Sequence, residues 1–289
     1  MRPNSSPRPF VDCPSRDLNL AAVHRLRDRS FRDARGLFFS QGIRFLSRAV
    51  ESSWPIAGLI VCSRLLNSCH GNGLVRGLVG EGIPRRKVSI EEYGSLSGFV
   101  DSEDLEERGQ GVLVLARQRW EPLPEAVDES ELWIGVESIR SSGNLGTLLR
   151  SGEAAGMTRL VVFDRSNDGS SVGVDPFAPA CVRASMGSIF THRYTRITHQ
   201  DFRKWAREKS LRVFGACGEG AADYRLPDYR GPTMIMLGDE RKGLSDGQRA
   251  TCHQLIRIPM MGNTDSLNVA MAGTILLYEA YGKRHPAAR

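Results

Sequence analysis

Lysine is nearly missing from this chain of 289 residues. Lys87, Lys204, Lys209, Lys242 and Lys283 are the only ones among 39 basic residues, so almost all positive charge is arginine. Guanidinium is a planar fork suited to two-point contact with phosphate or carboxylate. Long apolar runs are absent too. No stretch approaches the roughly 18 apolar residues of a membrane helix. The opening residues, MRPNSSPRPFVDCPSRD, contain no secretory apolar core, and two aspartates argue against an organellar transit peptide. Residues 1–19 therefore read as a disordered tail. Six cysteines (Cys13, Cys62, Cys69, Cys181, Cys217, Cys252) include no CxxC pair, and no histidine lies at zinc-finger spacing. In a chain of this length that excludes a disulfide frame and offers no metal site. The expectation is a cytoplasmic protein with reduced thiols, no membrane partner and no metal.

The charge that is present is unevenly placed. Residues 1–99 carry 15 basic against 8 acidic residues, residues 100–128 carry 3 against 8, and residues 129–289 carry 21 against 17. An arginine-rich front end fits a nucleic-acid partner, although a compositional bias would produce the same excess. The length prior suggests about two domains, and the pattern supplies a boundary. Residues 20–118 alternate short helices and strands: HRLRDRSFRDARG as an arginine-rich helix, GLFFSQG as a strand, Ile43 to Val50 as a helix, and IAGLIVCS and GVLVLARQ as buried strands. SIEEYGSL begins a helix with a serine cap and first-turn carboxylates. Residues 119–130, RWEPLPEAVDES, read as a linker with two prolines. Beyond it ELWIGVES, RLVVFD, RVFGACG, TMIMLGD and LIRIPM are near-continuous apolar runs separated by helical segments. That is the signature of a parallel sheet covered on both faces, in a domain spanning 131–289.

In open α/β sheets ligands bind beyond the carboxyl ends of the strands, and three such loops are unusual. The first, residues 137–156, leads from a strand through a Ser/Gly turn into a helix beginning near Asn144. Leu145, Leu148, Leu149 and Gly152 form that helix's packing face and Arg150 projects off it; a capped core helix with one solvated arginine would look the same. The second, MLGDERKGLS, runs from a strand into Gly238, Glu240 and Gly243, which a polar turn with a glycine cap would also satisfy. The third is IPMMGNTDSLNVAMAGTILLYEA. Asp265 or Ser266 suffices to cap its apolar helix, which leaves Asn268 in the first turn without a capping role. A buried amide there must find partners. GNGLVRG (71–77) superficially suggests a dinucleotide fingerprint. It has one residue too many before its last glycine and does not follow a strand directly.

Taken in this order, the three loops resemble the motifs of the SpoU family of RNA ribose 2′-O-methyltransferases, in the SPOUT superfamily. Motif one falls on Asn144, Gly146 and Arg150. Motif two falls on Gly238, Glu240 and Gly243. Motif three falls on Ile258, Pro259, Met260 and on Ser266, Leu267, Asn268, Val269. VRASMGSIF (182–190) is similar to the family's stretch between the first two motifs. The likeness covers roughly 130–282. GLFFSQGIRFLSRAV, PIAGLIVCS and QGVLVLA more weakly resemble the small ribosomal-protein-like α/β domain that many members use to bind substrate; Arg108 stands where the family usually has proline.

The resemblance implies a parallel sheet with a deep trefoil knot, S-adenosylmethionine as cofactor, and a homodimer to which the last helix contributes. Backbone groups of Gly238, Ile258 and Leu267 would hold the cofactor's adenosine part, with Gly243 and Met260 beside them. Arg150, Asn144, Glu240, Ser266 and Asn268 would form the catalytic group. The family's arginine is often cast as a general base, but a guanidinium keeps its protons to above about pH 12. The favoured role is to grip the adjacent phosphate and stabilise a developing alkoxide. Arg25, Arg27, Arg29, Arg32 and Arg35 are the candidate RNA-gripping residues of the front domain, some of them paired with Asp28 and Asp33. Structured ribosomal RNA is the leading substrate. Transfer RNA is the nearest alternative, a resistance-conferring ribosomal RNA modification a third, and a non-catalytic RNA-binding module a fourth. A nicotinamide oxidoreductase ranks below these.

Overall fold

The structure is a computed structural model that describes residues 18–98, 110–164, 173–218, 222–262 and 266–286. Most of the expected tail, most of the acidic stretch after Gly98, and Asn263, Thr264 and Asp265 fall outside these residues. The described chain forms two compact units. One comprises residues 18–118 together with Phe177–Phe190; the other comprises Arg119–Pro176 and residues 191–286. The sequence pattern offered no reason to detach residues 177–190 from the second half.

In the first unit, β1 (Leu37–Gln41), β2 (Ile56–Val61), β3 (Arg85–Lys87) and β4 (Val112–Arg117) form a four-stranded sheet in the order β1-β4-β2-β3. The antiparallel β1–β4 and β2–β4 pairs and the parallel β2–β3 pair make it mixed. The expected arginine-rich helix is divided into α1 (Leu20–Arg25) and α2 (Arg29–Arg35). α1 closes at Leu26, and Asp28 starts α2: its carboxylate accepts from the Phe31 backbone N–H and caps that helix. α3 (Ile43–Glu51) follows β1, α4 (Cys69–Gly80) follows β2 and α5 (Ile90–Ser97) follows β3. α4 contains the whole of GNGLVRG, so those glycines lie inside a helix and form no phosphate loop. The core joins Val23, Leu26, Leu37, Phe39, Ile60, Tyr93 and Leu115. Phe177 and Phe190 pack their rings on Phe38, at 4.9 and 6.0 Å between centroids, on the other face.

The second unit is a seven-stranded sheet. β5 (Leu132–Val136), β6 (Arg159–Asp164), β7 (Arg193–Thr198), β8 (Arg212–Ala216), β9 (Ala222–Asp223), β10 (Thr233–Leu237) and β11 (Gln254–Arg257) stand in the order β7-β6-β5-β10-β8-β11-β9. Every pairing in it is parallel. α6 (Ser142–Ala154) and α10 (Val269–Arg284) lie against one face, where Leu148 and Leu237 crowd Gly273. α8 (His199–Ala206) covers the other with Phe202, which clusters with Trp133, Phe163 and Met234. α7 (Pro179–Ala184) belongs to the first unit, and α9 (Asp246–Thr251) follows β10. Full burial on both faces explains why the central strands read as unbroken apolar runs. Among the described residues no helix is long and apolar enough to cross a membrane.

Candidate active site

The site is built where β5, β8, β10 and β11 end. β10 is wholly buried and stops at Leu237. Gly238 follows because nothing larger fits: a Cβ there would stand 2.3 Å from the Gly243 carbonyl carbon and 2.5 Å from the Leu244 nitrogen. Asp239 and Gly243 exchange backbone hydrogen bonds of 2.9 Å in both directions, and Gly243 takes a left-handed φ of 67°. The Asp239 carboxylate closes the turn by accepting from the backbone N–H groups of Arg241 and Lys242, at 2.9 and 3.1 Å. Ser245 then caps α9 in a capping box with Gln248, whose amide donates back to the Leu237 carbonyl at 2.8 Å.

This loop is stitched to the loop after β5, its neighbour in the sheet. Ser138 donates its hydroxyl to Asp239 Oδ2 at 3.0 Å, and Arg140 Nε donates to the same oxygen at 3.2 Å. The Arg140 backbone N–H donates to Glu240 Oε2 at 3.2 Å. Desolvation raises the Asp239 pKa, but the two turn N–H groups, Ser138 and Arg140 outweigh it and hold the carboxyl well below the usual range. Behind this pair of loops, Glu137 is 8% exposed and accepts from both the Ser245 hydroxyl and His199 Nε2, the latter at 2.9 Å. The His199 ring stacks on Phe163 with centroids 4.3 Å apart. One carboxylate thus ties the end of β5 to the start of α8 and the start of α9.

The third loop closes the other side. β11 ends at Arg257, so Ile258, Pro259 and Met260 lie beyond the strand that LIRIPM suggested. α10 begins at Val269, and its cap is Asn268 itself, whose side-chain oxygen accepts from the Ala270 and Met271 N–H groups at 2.9 and 3.3 Å. Of the expected caps, Ser266 lies before the helix has begun and Asp265 falls outside the described residues; Asn268 is exposed, not buried. With its oxygen committed to the cap, the Asn268 amide nitrogen donates to Asn144 Oδ1 at 3.0 Å. Motif three and motif one are therefore joined by a single side chain that also starts a helix.

The second and third loops line a cavity of about 270 Å³. Gly238, Glu240, Gly243, Ile258, Met260, Ser266 and Leu267, drawn from two stretches of sequence, all line it, with Cys217 and Gly218 from the end of β8. Its wall includes apolar side chains that remain open to solvent: Met260 is 38% exposed and Leu267 36%. Glu240 Oε1 is buried and has no hydrogen-bond partner among the described residues, an acceptor available to a ligand donor. Asn144, Arg150 and Asn268 are not in its wall. Asn144 lies in the first turn of α6, where Ser141 is the cap. Arg150 is exposed further along α6, without a hydrogen bond or ion pair to any described residue.

The five front-unit arginines divide differently. Arg32 is 2% exposed and donates to the backbone carbonyls of Leu26 and Arg27, at 2.8 and 2.7 Å. It braces the α1–α2 corner, which removes it from the expected RNA-gripping set. Arg25 lies 4.1 Å and Arg35 5.4 Å from the Phe31 ring centroid, and Arg29 pairs with Asp33 at 3.6 Å. Arg27 donates to the Leu96 carbonyl at 2.8 Å. Sequence reasoning passed over Asp239, Arg140 and Glu137. Only Asp239 carried a local signal, an aspartate two and three residues before the N–H groups of a glycine-terminated turn.

Comparison with known proteins bears on the same segments. A 23S rRNA (uridine(2479)-2′-O)-methyltransferase of Streptomyces viridochromogenes is 28% identical over 265 residues, covering 90% of this chain and 87% of the relative. A 23S rRNA (guanosine-2′-O-)-methyltransferase of Xanthomonas campestris is 29% identical over 207 residues, covering 71% and 80%. The AdoMet-bound structure of an rRNA methyltransferase from Sinorhizobium meliloti superposes with a TM-score of 0.80 at 28% identity, over 93% of this chain and 95% of that one. The SpoU methyltransferase AviRb of S. viridochromogenes, in complex with AdoMet, gives 0.80 at 26% identity, over 93% and 98%. Residues 131–278 match the model of the SpoU rRNA Methylase family, and with all three motif loops inside that span the chain belongs to this family.

Proposed function

We propose that the protein transfers the methyl group of S-adenosylmethionine to a ribose 2′-hydroxyl of structured RNA, with ribosomal RNA as its substrate. The observation that carries this reading is that the second and third motif loops line one cavity while the Asn268–Asn144 and Arg140–Glu240 hydrogen bonds fasten the first motif loop to them. The residues present fit the cofactor. Gly238 leaves its backbone accessible where any Cβ would collide, Met260 and Leu267 offer apolar surface, and the unpaired Glu240 Oε1 offers an acceptor. Bound there, the cofactor supplies an activated methyl group and no metal is needed for its transfer. Backbone groups at Gly238, Ile258 and Leu267 hold the adenosine part, beside Gly243 and Met260. Ser266 lines the cavity wall next to Leu267 and braces that loop.

The chain's own contribution is placement and charge. Arg150 carries a fixed positive charge on α6, uncommitted to any described carboxylate, and takes the phosphate next to the target ribose. That brings the guanidinium close enough to stabilise negative charge as it grows on the 2′-oxygen. Asn144 and Asn268 set the position of α6 against the start of α10. The test is incubation of unmodified ribosomal and transfer RNA pools with labelled S-adenosylmethionine, mapping alkali-resistant linkages. Label in transfer RNA alone would overturn the substrate assignment. Arg150→Ala should lose methyl transfer while calorimetry shows cofactor affinity within about twofold of wild type; a parallel collapse of affinity would refute the role given to Arg150.

The reading extends to a cytoplasmic homodimer. α10 leaves Met271, Tyr278 and Tyr281 exposed at 49%, 48% and 42%, spaced so that they share one face of the helix. Burial of such a stripe against a second copy accounts for its apolar character. Tyr278→Glu should sediment as a monomer, and a dimer unaffected by it would place the interface elsewhere.

A further inference from the structure

The first unit holds a cavity of about 620 Å³ that cofactor binding and methyl transfer do not use. The end of β1, the start of α3 and the segment Phe177–Phe190 surround it. Arg27, Arg44 and Arg183 line it together with Ser40, Phe39 and Phe45. Among the described residues no acidic side chain lines it. Arg44 and Arg183 are exposed, and neither guanidinium makes a hydrogen bond or ion pair with a described residue. Two nearby arginines are occupied: Arg48 pairs with Glu51 and Arg27 is tethered to the Leu96 carbonyl.

Ser40 is the independent sign that something enters. It is 3% exposed, yet its hydroxyl has no hydrogen-bond partner among the described residues. A buried, unpaired hydroxyl is a cost that folds rarely keep without a use. The rim adds a third feature. α3 starts behind Gly42, which supplies no side-chain cap, and only its first N–H, that of Ile43, is taken, by Gln110 Oε1 at 2.7 Å. An uncapped helix start beside free guanidinium groups favours an anion. Phe39 and Phe45 give the same cavity an apolar wall. Met186, also in its lining, holds a left-handed φ of 52° that non-glycine residues seldom adopt.

We propose that this cavity is a nucleotide subsite. The phosphate lies between Arg44 and Arg183 with the Ser40 hydroxyl donating to it, and the base lies against Phe45. Its source is a nucleotide of the RNA substrate, so the proposal rests on the RNA reading above; a free nucleotide has the same chemistry. Arg183 lies in the VRASMGSIF stretch, which gives that stretch a task on the substrate side of the enzyme.

The test uses the full chain and fluorescein-labelled hexauridylate, read by anisotropy across a salt series, with uridine 5′-monophosphate as competitor. Each neutralised single-strand phosphate contributes a salt slope of about 0.7, so losing the one held between Arg44 and Arg183 at 0.1 M salt weakens binding roughly fivefold. Arg44→Ala/Arg183→Ala should show that loss and a slope smaller by about 0.7. Arg76→Ala/Arg85→Ala removes the same charge from exposed positions of the same unit and should change affinity by less than about threefold. Ser40→Ala should weaken binding at least about threefold while melting no lower than wild type, because no described group depends on the hydroxyl. Equal losses in the two arginine pairs, or unchanged affinity in Ser40→Ala, would overturn the proposal. So would a site that takes the monophosphate while hexauridylate ignores the Arg44/Arg183 change. Calorimetry with S-adenosylmethionine on the same samples keeps the two readings apart. Cofactor binding that persists in every variant leaves the enzyme assignment standing whatever the subsite shows. A wild type that binds hexauridylate but not the cofactor refutes the enzyme and not the subsite.

Discussion

Asn268 does two things with one side chain, and the two can be separated. Its oxygen caps α10 and its nitrogen reaches Asn144 across 124 residues of sequence. Replacing an asparagine cap by alanine costs about 1 kcal/mol. The amide link, between one exposed and one half-buried group, contributes about 0.5–1 kcal/mol net. Asn268→Ala should therefore lose about 1.5–2 kcal/mol. In a unit of this size that lowers the melting temperature by about 3–8 °C. Serine caps a helix about as well as asparagine but is too short to reach Asn144. Asn268→Ser should thus recover about 1 kcal/mol of the loss while leaving the link broken. If the link positions α6, methyl transfer by the serine variant should fall about tenfold or more, since small misplacements near a reacting centre are costly. Thermal and urea unfolding, followed by labelled-methyl transfer on the same samples, measure both. A double-mutant cycle with Asn144→Ala should give a coupling of about 0.5–1 kcal/mol. The reasoning fails if serine is as unstable as alanine, or if it is stable and fully active.

Two further outcomes follow from the second loop. Gly238→Ala drives a Cβ into the Gly243 backbone and should cost about 1–3 kcal/mol, with cofactor affinity falling at least about tenfold by calorimetry. Gly143→Ala is its control: the added carbon would sit 3.6 Å from the Ser141 hydroxyl, and a neutral or slightly raised melting temperature is expected. The Asp239 carboxyl is held below its unfolded-state value near 3.9, so its stabilisation is present above about pH 4 and disappears as the pH falls through the folded value. Asp239→Asn should cost about 1–2 kcal/mol at pH 7. It should also melt with a shallower dependence than wild type below pH 4; parallel pH curves would refute the assignment.

The parts of the fold that showed in the sequence are those whose environment is uniform. β5, β6, β8 and β10 lie inside a sheet covered on both faces, so an apolar run is all they require. β7, RYTRIT, lies at one edge and β9, two residues long, at the other; β3, RRK, is mostly exposed. Such strands exist because a neighbour offers hydrogen bonds, a fact written in the neighbour's sequence. The α1–α2 break shows the converse. The arginine-rich segment has helical composition throughout, yet α1 closes at Leu26 and Asp28 begins α2 because its carboxylate turns onto Phe31.

The site divides along the same physical line. Glycines and motif residues whose task is local conformation were legible: Gly238 and Gly243 line the cavity and shape its turn. Residues whose task is to join loops were not. Asp239 gains its weight from Ser138 and Arg140, about a hundred residues earlier, and Glu137 from Ser245 and His199. Counting arginines located a basic front unit, yet could not say that Arg32 is spent on carbonyls within the fold while Arg44 and Arg183 stay free beside a cavity. The polar run before the last helix fits this division. The helix start falls to Asn268, whose side chain also reaches a second loop. Capping alone would not distinguish Ser266 from Asn268, since the two are similar caps. Only an amide presents an acceptor to the helix start and a donor to Asn144 at once, and that double demand selects asparagine at position 268.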